Sequence, residues 1–166
     1  ILASQVYFVQ NSFGAIQGPQ DAWLVLRGIK TLRARMEFQQ QSAIAIAEWL
    51  QGQHWVEKVY YPGLPEHPGH DLIQSQASGF GAIVSFKTDT PERAIKIMQS
   101  VRLWSVAVSL GGVESILSYP ARMSHASIPK VERERLGVTD NLIRLSVGLE
   151  DADDLIEDLD TSQRSI

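Results

Sequence analysis

The ten residues Leu142-Ile143-Arg144-Leu145-Ser146-Val147-Gly148-Leu149-Glu150-Asp151 decide how the rest of the chain is read. Ile143, Leu145 and Val147 alternate with Leu142, Arg144 and Ser146, the period-two pattern of a strand with one face in a core. The pattern then changes. Between Glu150 and Asp160 there are seven acidic residues and no basic one, while Ala152, Leu155, Ile156 and Leu159 make one apolar stripe. That spacing predicts a closing helix, and acids in its first turn suit the positive end of the helix dipole. Arg144 is the anomaly. A guanidinium keeps its proton, so in an apolar strand it needs an anion or a set of acceptors. Two readings follow: an ion pair with a protein carboxylate such as Glu114 or Glu150, or a bidentate clamp on a substrate carboxylate, whose planar geometry matches the guanidinium fork. On the residues alone the ion pair is the commoner arrangement.

Working outward, Leu142–Val147 is one of several β-rich segments separated by helical ones. Val101 to Ser109 reads as a strand broken by Gly111-Gly112, Pro91 opens a helix through Ile95 and Met98, and Gly81 to Phe86 reads as a buried strand. Pro62 to Gly79 holds three prolines and is mostly loop, with one helical turn around Asp71–Gln74, and Val56 to Tyr61 is β-rich. Further upstream, Gly18-Pro19-Gln20-Asp21 is a helix start, with a proline in the first turn and an acid close behind. Trp23, Leu26, Ile29, Leu32 and Met36 then recur at helical spacing, and Ile44, Ala47 and Leu50 continue the stripe. The pattern predicts one long helix to about Leu50, bent near Gly28 or around Gln39–Gln41. A short helix over residues 1–13 precedes it. A long helix followed by interleaved strands and helices implies an α/β fold of α+β two-layer type, a small sheet covered on one face by helices.

The chain has 166 residues, 44% hydrophobic and 20% charged, within the range of globular domains. It has no cysteine, which excludes thiolate catalysis, disulfides and cysteine-held metals. The net charge is −4, but the acidic segment carries seven of the 19 acids; the other 12 against 15 bases leave the remainder near +3. That charge is too mild and scattered for a phosphate-backbone footprint, so nucleic acid is not an expected partner. Nor is a membrane, since no apolar run reaches the roughly 20 residues that span one. The chain starts with Ile1 in mid-pattern, which suggests part of a longer protein.

Other motifs are weaker. Ser109-Leu110-Gly111-Gly112 is a turn whose glycines let backbone approach a ligand, but no Gly-Lys-Ser/Thr follows to make a phosphate loop. Ser124-His125 lacks a nucleophile elbow, so a capping or network role with His125 as partner is the expectation. His67 and His70 flank Pro68-Gly69, which opposes a helical metal pair. The five lysines, Lys30, Lys58, Lys87, Lys96 and Lys130, lie on polar or amphipathic stretches, and none is placed to be a desolvated nucleophile.

Several segments together resemble the transsulfuration (Cys/Met metabolism) family of pyridoxal-phosphate enzymes. They are Asp21-Ala22-Trp23-Leu24 through Arg27-Gly28-Ile29-Lys30-Thr31-Leu32 with Arg35-Met36, Val59-Tyr60-Tyr61-Pro62-Gly63-Leu64-Pro65, and Ser78-Gly79-Phe80-Gly81. Ser109-Leu110-Gly111-Gly112-Val113-Glu114-Ser115, Met123-Ser124-His125-Ala126 and Leu142 through Asp151 complete the set, in the family's order. The resemblance implies a fold-type I, aspartate-aminotransferase-like enzyme that uses pyridoxal 5'-phosphate on a sulfur amino acid. Its cofactor lysine sits in a Ser-x-x-Lys-Tyr type stretch, which does not occur here and is expected upstream of Ile1. The resemblance therefore divides the chain into 1–54, the last helices of a large cofactor-binding domain including the interdomain helix, and 55–166, a C-terminal small domain.

Onto single positions the resemblance carries a limited set. Arg144 matches the arginine that holds the substrate α-carboxylate, and Ser109 the residue that assists it. Ser124 stands where the family usually has threonine, in a hydroxyl network around that arginine. Val108 stands where γ-synthases and γ-lyases acting on cystathionine commonly carry glutamate, so the resemblance is nearest to the cystathionine β-lyases, with cystathionine γ-synthase, cystathionine γ-lyase and methionine γ-lyase as the alternatives. No catalytic, cofactor-binding or metal-ligating residue is expected within these 166 positions, and the chain alone is expected to be inactive. The resemblance further implies a cytoplasmic homotetramer, a dimer of dimers. A different class of reading is a free-standing carboxylate-binding module, which an initiator codon just before Ile1 would favour.

Overall fold

The computed structural model describes residues 1–164. The chain divides into two compact units, Ile1–Ala34 and a larger one from Arg35 onward. The first unit holds α1 (Leu2–Phe13) and α2 (Pro19–Ile29). α1 stops at Gly14, whose φ of 65° is the left-handed conformation that glycine adopts without strain. α2 starts as the sequence indicates, with Pro19 in its first turn behind Gly18 and Asp21 close to the helix N-terminus. No side chain of this unit is buried, and Phe8, Phe13, Trp23 and Leu26 are exposed by half or more.

The single long helix expected from Pro19 onward is two helices. The chain leaves the helix at Lys30–Thr31, with Thr31 N donating to Gly28 O in a turn, and α3 runs Leu32–Gln51. α3 continues through Gln39–Gln41 without a break. Gln39 is buried and its Nε2 donates to Gly112 O at 2.7 Å, while Gln40 Oε1 accepts from Phe80 N and, at 3.3 Å, from Gly81 N. These glutamines break the apolar stripe because they satisfy backbone groups of the second unit.

That unit is a mixed α/β body on a five-stranded sheet. Its strands are β1 (Val56–Tyr60), β2 (Ile83–Thr88), β3 (Ser105–Val106), β4 (Ile116–Ser118) and β5 (Leu142–Ser146), in the order β1-β2-β5-β4-β3. All pairs are antiparallel except β3 with β4. One face is apolar: Val84 and Phe86 of β2, and Ile143 and Leu145 of β5 with Val147 just after it, are buried with Ala94 and Ile97 of α5 (Pro91–Ser100), Leu155 and Leu159 of α7 (Ala152–Arg164) and Ile46 and Leu50 of α3. α5 starts at Thr90, whose hydroxyl accepts from Arg93 N. Trp55 packs edge-on between Trp49 and Phe86, with ring centroids 6.0 Å apart in each pair. Tyr61 donates its hydroxyl to Gly81 O at 2.9 Å, and burial pushes its phenol up to about 12. No helix of the described residues is long and apolar enough to cross a membrane.

The strand expected over Val101–Ser109 shrinks to β3, for a visible reason. The Asp158 carboxylate of α7 accepts from the amides of Arg102, Leu103 and Trp104 at 2.8–3.3 Å, so a side chain takes donors that a ladder would otherwise need. Beyond Val106, Ala107 N still reaches Leu117 O, and the chain then leaves the sheet. β2 sits two residues later than the strand expected from Gly81. The turn expected around Asp71–Gln74 is α4 (His70–Gln76). β4, of three residues, is too short to show periodicity, and α6 (Lys130–Arg135) has Val131 as its one apolar residue. α6 is held from its buried Arg133, which donates to Asp140 Oδ1 and Val138 O at 2.6 Å each and fixes the turn into β5.

Candidate functional site

β5 alternates as the sequence indicates, so Arg144 points to the face opposite the helices. In the antiparallel register Arg144 faces Ser85 on one side and Ser118 on the other, and directly opposed residues share a face. Ser146, opposite Ile116, is also on this face. What covers it is backbone. Residues 107–115 fold across β4 and β5 and are tied down at many points: Ser118 Oγ donates to Ala107 O at 2.7 Å, Gly111 N to Ser146 Oγ at 2.9 Å, and Leu149 N to Val113 O at 2.7 Å. Gly148 lies under this segment. A Cβ there would sit 2.5 Å from Glu114 C and Ser115 N and closer still to Val113 O, so only glycine lets the two backbones approach.

Within this frame the Arg144 guanidinium has no carboxylate partner among the described residues. Glu150, one of the two acids available by sequence, instead accepts from Ser115 N at 3.0 Å and from Ser115 Oγ at 2.7 Å. Arg144 Nη2 donates to Ser109 O at 2.8 Å and to Ser118 Oγ at 3.1 Å. Its Nε is enclosed with no hydrogen-bond partner. Neutral acceptors leave the positive charge uncompensated, and an orphaned buried donor costs about 1–3 kcal/mol. An uncompensated cation beside this backbone segment could take an anion. Both hydrogens of Nη2 are taken, so the other terminal nitrogen is the donor left for such an anion, a carboxylate among them.

The structure brings Ser109 to Arg144 through its carbonyl; the hydroxyl makes no bond to the arginine. Val108, next to it, is exposed at 63% and offers no charge to a ligand's distal end. Ser124 is not brought to Arg144. Its Oγ pairs with His125 Nδ1 at 2.8 Å on an exposed turn, the network role expected from the residues alone. The hydroxyl that does reach the arginine belongs to Ser118, which sequence reasoning missed. No sequence signal marked it: it is a serine at the end of a strand of three residues, two positions before Pro120. Of the histidines near Pro68, His70 Nδ1 donates to Pro62 O at 2.8 Å and its ring stacks on Phe80, and His67 Nδ1 accepts from Gly69 N. Both rings hold loop structure.

No lysine among the described residues is buried. Lys130, the one drawn furthest from ordinary behaviour, is raised by its hydrogen bond to Asp140 and is solvated, the opposite of an amine nucleophile.

Compared with known families, residues 1–163 match the one described as Cys/Met metabolism PLP-dependent enzyme. The chain belongs to that family. Among curated relatives, it is 53% identical over 165 residues to the cystathionine beta-lyase MetC of Bacillus subtilis (strain 168), covering 99% of this chain and 42% of that protein. It is 50% identical to a cystathionine gamma-lyase of the same strain, covering 99% of this chain and 44% of the relative. With the chloroplastic cystathionine beta-lyase of Arabidopsis thaliana it shares 51% identity, over 96% of this chain and 34% of the relative. The chain thus spans less than half the length of these relatives.

Proposed function

We propose that this chain is the C-terminal part of a pyridoxal-phosphate-dependent carbon–sulfur lyase of fold-type I, acting as a cystathionine β-lyase that yields homocysteine, pyruvate and ammonia. Within it, residues 1–54 belong to the large domain and 55–166 form the small domain. The observation that carries the reading is Arg144: a cation without a carboxylate partner among the described residues, fixed by two neutral acceptors at the edge of a glycine-built backbone cradle. The exposed apolar side chains of α1 and α2 support the reading of this chain as part of a larger protein, since helices of that composition are normally covered by protein.

The residues present do not make a seat for pyridoxal phosphate. They include no buried lysine and no glycine-rich phosphate loop ahead of a helix, which supports a cofactor held mainly by residues outside this chain. Bound there, it would supply an electron sink for chemistry at the substrate's Cα. What these residues do is orient. Arg144 takes the substrate's α-carboxylate and so fixes which Cα bond stands in the reactive direction, a contribution of position and not of proton transfer. Val108 leaves the substrate's far ammonium without a partner on this side, which favours β-cleavage over the γ-reactions of family members with glutamate there.

Assaying the full-length protein with L-cystathionine and separating the oxoacid products tests the reading. Pyruvate with homocysteine is expected. 2-Oxobutyrate with cysteine would assign γ-cleavage, consistent with the gamma-lyase relative at 50% identity, and no turnover with any sulfur amino acid would overturn the lyase proposal.

A further inference from the structure

Ser118 is 3% exposed and makes two bonds whose directions are forced. A carbonyl cannot donate and a guanidinium cannot accept. The hydroxyl's one hydrogen therefore goes to Ala107 O at 2.7 Å, and its lone pair accepts from Arg144 Nη2 at 3.1 Å. The same Nη2 donates its other hydrogen to Ser109 O at 2.8 Å. Both hydrogens of one guanidinium nitrogen are thus anchored to the segment 107–109, one directly and one through Ser118. Two bonds from one planar nitrogen fix the plane of the whole group, and the other terminal nitrogen is left as the open donor.

Arginine has several rotatable bonds, and a guanidinium held by one acceptor can pivot about it. Without Ser118 the group keeps only the Ser109 carbonyl, and that carbonyl belongs to an exposed loop. A donor that must be ordered at the moment of binding gives less affinity than one ordered beforehand. We infer that Ser118 is a positioning residue: it sets the guanidinium plane of Arg144 and thereby the enzyme's selectivity for ligands bearing an α-carboxylate. The inference rests on the reading of Arg144 as the carboxylate site and adds a residue to it.

The test uses the full-length holoenzyme, Ser118→Ala and Ser118→Thr, with L-cystathionine as substrate and two competitive probes, L-alanine and L-alaninamide. The two probes differ in the carboxylate alone. Ser118→Ala is expected to raise the KM for cystathionine and the Ki for L-alanine about tenfold, lower kcat by much less, and leave the Ki for L-alaninamide within twofold. Ser118→Thr, which keeps the hydroxyl, is expected to restore L-alanine binding. Equal weakening of both probes, or an unchanged L-alanine Ki, would overturn the inference, since a general packing defect does not discriminate between them. If Ser118→Ala does not fold, Ser118→Cys, with a much weaker donor and acceptor, is judged by the same ratio. Arg144→Lys separates the two claims. If it abolishes the preference for L-alanine while Ser118→Ala does not, Ser118 alone is excluded; if it leaves the preference intact, the reading of Arg144 itself fails.

Discussion

Glu150 holds Ser115 twice, accepting from its amide nitrogen at 3.0 Å and from its hydroxyl at 2.7 Å, while the same hydroxyl accepts from Gly148 N at 2.8 Å. Ser115 is fully buried, and this pair closes the end of the segment that carries Ser109 across the sheet. The acid that sequence offers as a partner for Arg144 is therefore used to build the backbone that Arg144 contacts.

Glu150→Ala removes two charge-assisted bonds and leaves a buried amide without an acceptor. The expected loss is about 2 kcal/mol of stability. A loosened 107–115 segment should also raise KM for cystathionine severalfold in the full-length enzyme. A thermal melt and a Michaelis curve on the same preparation check both; a lowered Tm with unchanged KM would show that the segment's anchoring does not reach the site.

Gly148→Ala tests the close approach under that segment. The new Cβ would meet backbone atoms of Val113, Glu114 and Ser115, none of which can swing aside as a side chain tip would. A cost of about 3 kcal/mol is expected, as for forced overpacking, read as a lowered Tm or a loss of folded yield. A Tm within 1 °C (roughly a few tenths of a kcal/mol) would mean that the loop and β5 separate easily.

Much of this fold was legible in the sequence, and the exceptions share a cause. β5, α5 and α7 were readable because each carries an apolar stripe of at least three residues facing the core. The break at Lys30–Thr31 was legible only as a bend near Gly28, because the apolar stripe continues through it. β3 was overdrawn because valines at 101, 106 and 108 look like strand, while Asp158, more than 50 residues away, takes the amides that a ladder would pair. At the site, Arg144 was conspicuous because charge in an apolar strand is rare. Ser118 was invisible because its role comes from cross-strand register, which a single sequence does not display.

Asp140 provides the pH-dependent case. The hydrogen bonds from Lys130 and then Arg133 hold its carboxyl below the usual carboxylate range. A folded pKa below the unfolded one means the stabilisation is complete above the unfolded value, near 4, and is lost as pH falls through the folded one. Melts of the full-length protein should therefore drop in Tm from about pH 5 downward. Asp140→Asn should flatten the Asp140 contribution to that drop and lower stability at pH 7 by about 2–3 kcal/mol, because the buried Arg133 loses its carboxylate partner and keeps neutral acceptors alone. An unchanged acid slope in the variant would remove Asp140 from the explanation.

The most direct test of the central claim is kcat/KM for L-cystathionine in the full-length enzyme carrying Arg144→Leu. A guanidinium that holds the substrate carboxylate predicts a loss of about 2–4 kcal/mol, roughly 30- to 1000-fold, with a raised KM. A change below about 0.5 kcal/mol, close to the scatter of neutral substitutions, would contradict it and leave Arg144 a structural tie between β5 and the Ser109 loop.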